Sequence, residues 1–129
     1  MNAIVYISNL NDMRFLVSSL TSLRYFNKQI KVFILSDMIP SDENKRQLHE
    51  FRVEVITCKE LFYAIFPNIS KYSIKRWSNL VFYKLLMPFI PQLVKYDRIL
   101  YVDTDTLFVK DFDFLMNFPM KCMYGMFYE

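Results

Sequence analysis

Glycine is almost missing from this sequence. The chain has 129 residues and a single glycine, Gly125, whereas average composition would give roughly nine. The glycine-rich turns of P-loop and dinucleotide-binding proteins need glycine at fixed positions, because their backbone N–H groups close around phosphate. The sequence therefore excludes both types of glycine-rich phosphate-binding turn. If the chain binds a nucleotide, a metal ion held by carboxylates is the obvious alternative for the phosphates.

Long uninterrupted apolar runs are also lacking. Charged residues and prolines cut every apolar stretch well short of a bilayer span; they are Arg14, Lys31, Lys84, Pro88, Pro91 and Lys95. The N-terminal MNAIVYIS has neither the basic start nor the small-residue cleavage site of an export signal. We predict a cytoplasmic protein and leave peripheral membrane contact open. Cys58 and Cys122 lack metal-site spacing, so we expect two buried thiols.

Neither sign of charge dominates. The formal net charge is +3 at pH 7, and basic residues are interspersed with acidic ones, so we expect no nucleic-acid partner. The only histidine, His49, lies in a polar segment and is expected on the surface. What the chain does have is apolar residues, at 53% of the total. That fraction suffices for one core and leaves apolar surface for further protein.

Four short runs rich in β-branched and aromatic residues predict buried strands. They span residues 3–8, 31–36, 53–57 and 98–102. Helices are predicted between them from apolar spacing of three and four residues and from end signals. They span residues 12–27, a segment capped by Ser41 with Asp42 and Glu43 in its first turn, residues 59–66, and residues 73–87 ended by Pro88 and Pro91. This order predicts an α/β fold with an open, mainly parallel sheet flanked by helices.

Two aspartates follow the last predicted strand. Asp103 and Asp105 come after the apolar run RILYV, and open α/β sheets bind ligands beyond the C-terminal ends of their strands. Carboxylates two residues apart in an extended chain project to one side, where they offer Mg²⁺ or Mn²⁺ two oxygen ligands. A second pair, Asp111 and Asp113, is expected to start a turn or helix.

Polar residues also follow the first predicted strand, and they are Ser8, Asn9 and Asn11. Because parallel strands end at one edge of a sheet, we expect them at the same edge as Asp103. A turn with helix-capping amides is the alternative explanation for the two asparagines.

The DTDTL stretch also resembles two other kinds of site, a calcium-binding loop and a phosphatase signature. A helix-loop-helix calcium loop would need oxygen, glycine and glutamate where Leu107, Phe108 and Phe114 stand, so it is excluded. The D-x-D-G-T signature of phosphatases with an Asp nucleophile is similar, but its glycine is missing here and it usually follows the first strand. A phosphatase acting through Asp103 stays an alternative.

The segment YDRILYVDTDTLFVKDF resembles the D-x-D segment of retaining glycosyltransferases of family 8. Three further stretches agree with that family in order: IVYISNLNDMRFLVSSLTSL, VFILSDMIPSDENKRQL and FYKLLMP. The resemblance covers essentially the whole chain. It implies the GT-A type of α/β fold, which binds nucleotide-diphospho-sugars.

The resemblance also implies site residues. Asp103 and Asp105 would bind Mn²⁺ (or Mg²⁺), and the metal would hold the diphosphate of a nucleotide sugar. Residues implied to contact the nucleotide sugar are Ser8, Asn9, Asn11, Lys84 and Thr104. Lys84 stands where the family usually has arginine, so the charge is kept and the bidentate fork is lost. A solvated helix residue is the alternative for Lys84.

The family's members are typically much longer, and their later half supplies a histidine metal ligand and most acceptor contacts. The resemblance therefore implies that residues 1–129 are the nucleotide-sugar-binding half of a GT-A domain, with a C-terminal half as partner. The expected activity is metal-assisted transfer of a hexose from a UDP-sugar to a glycan or a lipid-linked, lipopolysaccharide-like glycan. No catalytic residue is assigned. An inactive nucleotide-sugar-binding or interaction module is the alternative from another class.

Overall fold

The computed structural model describes residues 1–69 and 79–120. Its elements are β1 (Asn2–Ile7), α1 (Met13–Phe26), β2 (Lys31–Ser36), α2 (Asp42–His49), β3 (Val53–Thr57), α3 (Lys59–Ile65), a 3₁₀ helix (Asn79–Phe89), β4 (Arg98–Tyr101) and α4 (Asp113–Asn117). All four predicted strands are confirmed, each to within one residue at either end. The first three predicted helices are confirmed as α1, α2 and α3.

The four strands form one sheet in the order β3-β2-β1-β4, and every pairing in it is parallel. In the register of the sheet, Ile7 lies beside Leu35 of β2, and Val5 lies beside Tyr101 of β4. The predicted α/β class with a parallel sheet is therefore confirmed for the described residues. Parallel strands need crossover connections, and the helices between β1, β2 and β3 supply them.

Both faces of the sheet are covered. Alternate residues of β1 pack to opposite sides: Ile4 and Tyr6 join the core under α1 and α2, while Ala3 and Val5 join the core under α3 and the 3₁₀ helix. All four side chains are fully buried. Burial on both faces explains why β1 and β2 are almost continuous apolar runs, since neither face of these strands meets water.

Helix α1 presents one apolar face to the sheet, and its buried residues include Leu16, Leu20 and Leu23. One polar residue, Ser19, is buried on the same face, where its hydroxyl pairs with the Tyr6 hydroxyl at 2.8 Å. Burial raises the pKa of Tyr6 to about 12. This phenol is therefore neutral at physiological pH and holds α1 on β1 through a satisfied polar contact.

Helix α2 begins with the predicted cap. The Ser41 Oγ accepts a hydrogen bond from the Asn44 N–H at 3.1 Å, and the Asn44 Oδ1 accepts one from the Ser41 N–H at 3.0 Å. This reciprocal capping box satisfies two N–H groups that have no partner inside the helix. The Asn44 side-chain amide also donates to the Leu10 carbonyl at 3.3 Å. The start of α2 is thereby tied to the loop that follows β1.

The prediction of a helix over residues 73–87 is only partly addressed, because residues 73–78 lie outside the described part of the chain. From Asn79 onward the chain is a 3₁₀ helix, and it continues through Pro88 to Phe89. The predicted end at residue 87, ahead of Pro88 and Pro91, is therefore wrong by two residues. Proline removes a single N–H donor, and the turn is carried past it by the Ile90 N–H, which donates to the Met87 carbonyl at 3.3 Å.

Candidate functional site

The C-terminal ends of all four strands lie at one edge of the sheet, which we call the carboxyl edge. It is formed by the residues that directly follow Ile7, Ser36, Thr57 and Tyr101. The segment after β1 carries Ser8, Asn9 and Asn11, and the segment after β4 carries Asp103, Thr104 and Asp105. Because β1 and β4 are neighbours in the sheet, the structure brings both segments to adjacent positions on this edge.

The loop after β1 is held in shape by its own hydrogen bonds. The Ser8 N–H extends the ladder to the Leu35 carbonyl at 3.0 Å, and the buried Ser8 Oγ accepts from the Leu10 N–H at 3.0 Å. The Asn9 Oδ1 accepts from the Asn11 N–H, also at 3.0 Å. Leu10 adopts a φ of 61°, a left-handed conformation that is uncommon for leucine and found more often at functional sites.

Part of the alternative explanation for the asparagines is correct. Asn9 does make a turn through its side-chain oxygen. Helix α1, however, is capped by Asp12, whose carboxylate accepts from the Arg14 N–H at 3.2 Å. Asn11 is exposed and does not cap the helix. The amides of both asparagines lie on the surface of the carboxyl edge.

The segment after β4 turns sharply. The Val102 N–H donates to the Val5 carbonyl at 3.0 Å, and the next hydrogen bond runs from the Thr106 N–H to the Asp103 carbonyl at 3.1 Å. Thr104 and Asp105 therefore lie inside a turn. The expectation of an extended chain through Asp105 is wrong, because the ladder stops at Val102 and the turn begins at once.

The Tyr101 phenol contacts the first of the two aspartates. Its hydroxyl donates to the Asp103 Oδ1 at 2.5 Å, a short bond of the charge-assisted kind. Burial raises the pKa of the Tyr101 phenol, and the hydrogen bond to Asp103 and the negative charges of Asp103 and Asp105 raise it further. Both negative charges therefore oppose the ionisation of this hydroxyl. Asp103 is held by a tyrosine of the strand, and Asp105 lies two residues further on, inside the turn that begins at Asp103.

Lys84 reaches the same place from the 3₁₀ helix. Its ammonium nitrogen lies 6.0 Å from the centre of the Tyr101 ring, and the residue is exposed. The cation therefore lies on the ring of the residue that hydrogen-bonds Asp103. This places a positive charge over the ring whose hydroxyl binds Asp103, where a negatively charged ligand would meet both a cation and any metal held by the aspartates.

The second aspartate pair behaves as expected. The Asp111 Oδ1 accepts from the Asp113 N–H at 2.7 Å, and Asp113 is the first residue of α4. This carboxylate is therefore used to start a helix. Asp111 and Asp113 provide an internal comparison for Asp103 and Asp105, since spacing and residue type are the same.

The donor set at the carboxyl edge fits a hard divalent cation. The described residues contain no group of three or more histidine, cysteine, aspartate or glutamate side chains that could hold a metal. A metal at this edge would have two carboxylate ligands from the described residues, those of Asp103 and Asp105. The single histidine, His49, lies exposed at the end of α2. A site with two carboxylates suits Mg²⁺ or Mn²⁺, which commonly take remaining ligands from water and substrate phosphates.

Two residues of this edge were missed in the sequence. The sequence marks Tyr101 only as a strand residue. Side chains two residues apart in a strand lie on the same face, however, so a tyrosine at that spacing can reach a carboxylate. Asp37 directly follows β2, much as Asp103 follows β4. The strand prediction ending at residue 36 already placed Asp37 at the carboxyl edge, and that was the signal available.

A comparison with protein-family models identifies the family of the chain. The model described as glycosyl transferase family 8 matches residues 3–128, which is almost the whole chain. The chain belongs to glycosyl transferase family 8. No curated protein and no solved structure gives a significant match.

Membership of family 8 confirms the resemblance drawn from the sequence and indicates a function of the glycosyltransferase type. It gives no support to the phosphatase alternative, which shares only the D-x-D pattern. The open parallel sheet flanked by helices is consistent with the GT-A-like fold expected for this family. Within residues 1–69 and 79–120, no helix is long and apolar enough to cross a membrane.

Proposed function

We propose that this family 8 glycosyltransferase binds a UDP-sugar at the carboxyl edge of its sheet and transfers the hexose to a glycan or lipid-linked glycan. The donor would bind together with Mn²⁺ or Mg²⁺ held by Asp103 and Asp105. The observation that carries this proposal is the hydrogen bond that holds Asp103 on the Tyr101 hydroxyl, with Asp105 in the adjoining turn and Lys84 over the same ring. Two neighbouring carboxylates repel each other unless a cation lies between or near them, and a bound metal ion would supply that charge.

Each residue of the edge has a role in this proposal. The Tyr101 hydroxyl fixes one oxygen of Asp103, so that the carboxylate has fewer orientations to lose when a metal binds. Lys84 places its charge where the diphosphate would lie, as a point charge without the fork of arginine. When bound, the metal would stabilise the negative charge that develops on the leaving diphosphate.

The loop after β1 is suited to the nucleoside. It is already ordered by the hydrogen bonds of Ser8 and Asn9 and by the Asn44 amide on the Leu10 carbonyl. A loop ordered before binding loses less conformational entropy when the ligand arrives. The exposed amides of Asn9 and Asn11 can then pair with base or ribose groups, while Thr104 lies in the neighbouring turn.

Calorimetry of UDP binding to the 129-residue chain tests the proposal. We expect measurable affinity in Mn²⁺ and at least about tenfold weaker binding in excess chelator, because a bridging cation neutralises part of the diphosphate charge. UDP-sugars should compete with UDP for the same site. Equal UDP affinity with and without metal would contradict the proposed metal site. The absence of UDP binding in both conditions would contradict the proposed nucleotide site.

The Tyr101→Phe variant tests the orientation of Asp103. Removing the hydroxyl deletes the bond to the Asp103 Oδ1 but keeps the ring under Lys84. We expect Mn²⁺ affinity, read from the metal concentration that half-saturates the gain in UDP binding, to fall by about 10-fold to 100-fold. UDP affinity in chelator should not change.

Tyr25→Phe is the matched control, because Tyr25 is 79% exposed on α1. It should bind Mn²⁺ and UDP like the unmodified chain. A Tyr101→Phe chain with unaltered Mn²⁺ dependence would show that the hydrogen bond does not orient a metal ligand.

A further inference from the structure

The carboxylate of Asp37 stands out at the end of β2. Its Oδ1 is buried without a hydrogen-bond partner, and among the described residues it is the one buried side-chain oxygen or nitrogen in that condition. The neighbouring polar side chain is satisfied, since the buried Ser36 Oγ accepts from the Met38 N–H at 3.2 Å. An unpaired buried oxygen destabilises the fold and calls for an explanation outside folding.

Asp37 lies two residues after Leu35, which packs in one core cluster with Tyr83 of the 3₁₀ helix. Burial raises the pKa of Tyr83 to about 12, and the negative charge of Asp37 contributes, ahead of Cys58 and Tyr63. Tyr83 is itself 2% exposed. The next residue of that helix is Lys84, which lies over the Tyr101 ring. The 3₁₀ helix therefore packs on the strand that ends one residue before Asp37, and it carries Lys84 over the residue that hydrogen-bonds Asp103.

The order of strands fixes where Asp37 lies relative to the proposed metal site. Along the carboxyl edge the order is β2, β1, β4, so the loop of Asn9 and Asn11 lies between Asp37 and Asp103. Neighbouring strands are about 4.8 Å apart, which separates the ends of β2 and β4 by roughly 10 Å. That distance is comparable with the one between a nucleoside and the second phosphate of its diphosphate.

We propose that Asp37 accepts a hydrogen bond from a donor group of the nucleoside, either a ribose hydroxyl or the N–H of the base, when a UDP-sugar occupies the carboxyl edge. This inference rests on the proposed function. Asp37 keeps part of its surface exposed, so a ligand can reach the residue. In dinucleotide-binding α/β folds an acidic residue about 20 positions beyond the first strand-to-helix turn pairs with the ribose in the same way.

The experiment measures UDP affinity by calorimetry in Mn²⁺ for the unmodified chain and for Asp37→Asn and Asp37→Ala. We expect Asp37→Ala to lose about 10-fold to 100-fold in affinity, the usual cost of a hydrogen bond to a charged group. The stability of Asp37→Asn should equal or exceed that of the unmodified chain in urea unfolding, because the substitution removes a charge whose buried oxygen has no partner. Asp42→Asn is the control, since Asp42 is fully exposed on α2.

Nucleotide analogues distinguish the two donors. If a ribose hydroxyl donates, the unmodified chain binds 2′-deoxy-UDP or 3′-deoxy-UDP more weakly than UDP, and Asp37→Ala loses that preference. If the base N–H donates, N3-methyl-UDP gives the same pattern instead. Either pattern supports a direct contact, and the comparison on the unmodified chain does not depend on whether a variant folds.

Four results would overturn the inference. UDP binding by Asp37→Ala that equals that of the unmodified chain would leave the proposed function intact and remove Asp37 from the site. Equal losses for UDP and all three analogues, or a destabilised Asp37→Asn chain, would assign Asp37 a structural role. If the unmodified chain binds no UDP, the proposed function fails first and the inference fails with it.

Discussion

Replacing Asp103 and Asp105 together by asparagine is expected to abolish the gain in UDP affinity that Mn²⁺ gives. Asparagine keeps the shape of each side chain and removes both negative charges. Losing an outer partner of a metal ligand already costs about 10-fold to 100-fold in metal affinity. Losing two of the ligands should therefore cost more than about 100-fold in Mn²⁺ affinity. Calorimetry in Mn²⁺ and in chelator should then give the same UDP affinity.

The chain contains its own control for this experiment. Asp111 has the same spacing to Asp113, but its Oδ1 starts α4 by accepting from the Asp113 N–H. Asparagine at position 111 can still accept that bond through its amide oxygen. The Asp111→Asn chain should keep the full effect of Mn²⁺. A metal effect that survives the double substitution, or that disappears in Asp111→Asn, would place the metal elsewhere.

The double substitution also has an expected effect on the neighbouring phenol. Burial and the negative charges of Asp103 and Asp105 all raise the pKa of Tyr101. Removing both charges removes the two electrostatic contributions and leaves burial and a hydrogen bond that the asparagine oxygen can still accept, so the ionisation of Tyr101 should move to lower pH. The chain has nine tyrosines, so the signal of Tyr101 is taken as the difference in tyrosinate absorbance between chains with and without Tyr101→Phe, measured in the absence of metal and of UDP.

The strands of this fold could be predicted from the sequence because their chemistry is local. β1 and β2 are buried on both faces, so each is a short continuous run of β-branched and aromatic residues. The start of α2 was equally accessible, since Ser41 and the acidic residues after it are a local signal for a cap. In both cases the residues that determine the element lie within it.

Contacts between distant parts of the chain could not be predicted in this way. The Arg24 guanidinium at the end of α1 donates to the carbonyl of Phe51 at 2.9 Å and 2.7 Å and to that of Ile30 at 2.8 Å. It thereby joins three segments that the sequence keeps apart. Nothing in the residues around Arg24 marks it as different from other basic helix residues. Only the folded backbone brings those carbonyls within its reach.

The candidate site, too, could be predicted from the sequence only where local signals determine it. The position of Asp103 at the carboxyl edge followed from the strand order, whereas the turn at Thr104 and Asp105 did not. A strand end is set by where pairing stops, and pairing of β4 stops at Val102 because the Asp103 carbonyl accepts from Thr106 instead of continuing the ladder. The relation between Asp103, Tyr101 and Lys84 likewise depends on β4 meeting the 3₁₀ helix, which no local pattern encodes.

The two faces of β2 allow stability and binding to be separated. Ile34 and Leu35 are neighbours and both are fully buried, but Ile34 packs in the core under α1 and α2, whereas Leu35 packs with Tyr83 under the 3₁₀ helix. We expect Ile34→Ala and Leu35→Ala each to lower the free energy of unfolding by about 2–5 kcal/mol, through lost burial and the cavity left behind. Urea unfolding of each variant measures the loss.

The expected difference lies in UDP binding, measured by calorimetry in Mn²⁺ at a temperature where both variants are folded. Ile34→Ala should bind UDP like the unmodified chain, because its cavity opens on the face of the sheet away from Tyr83 and Lys84. Leu35→Ala should bind more weakly, since the 3₁₀ helix that carries Lys84 loses part of its support. Val53→Ala, at a half-buried position of the edge strand β3, should cost less stability than either. Equal UDP affinities for the Ile34 and Leu35 variants would mean that packing under the 3₁₀ helix does not position the ligand-binding edge.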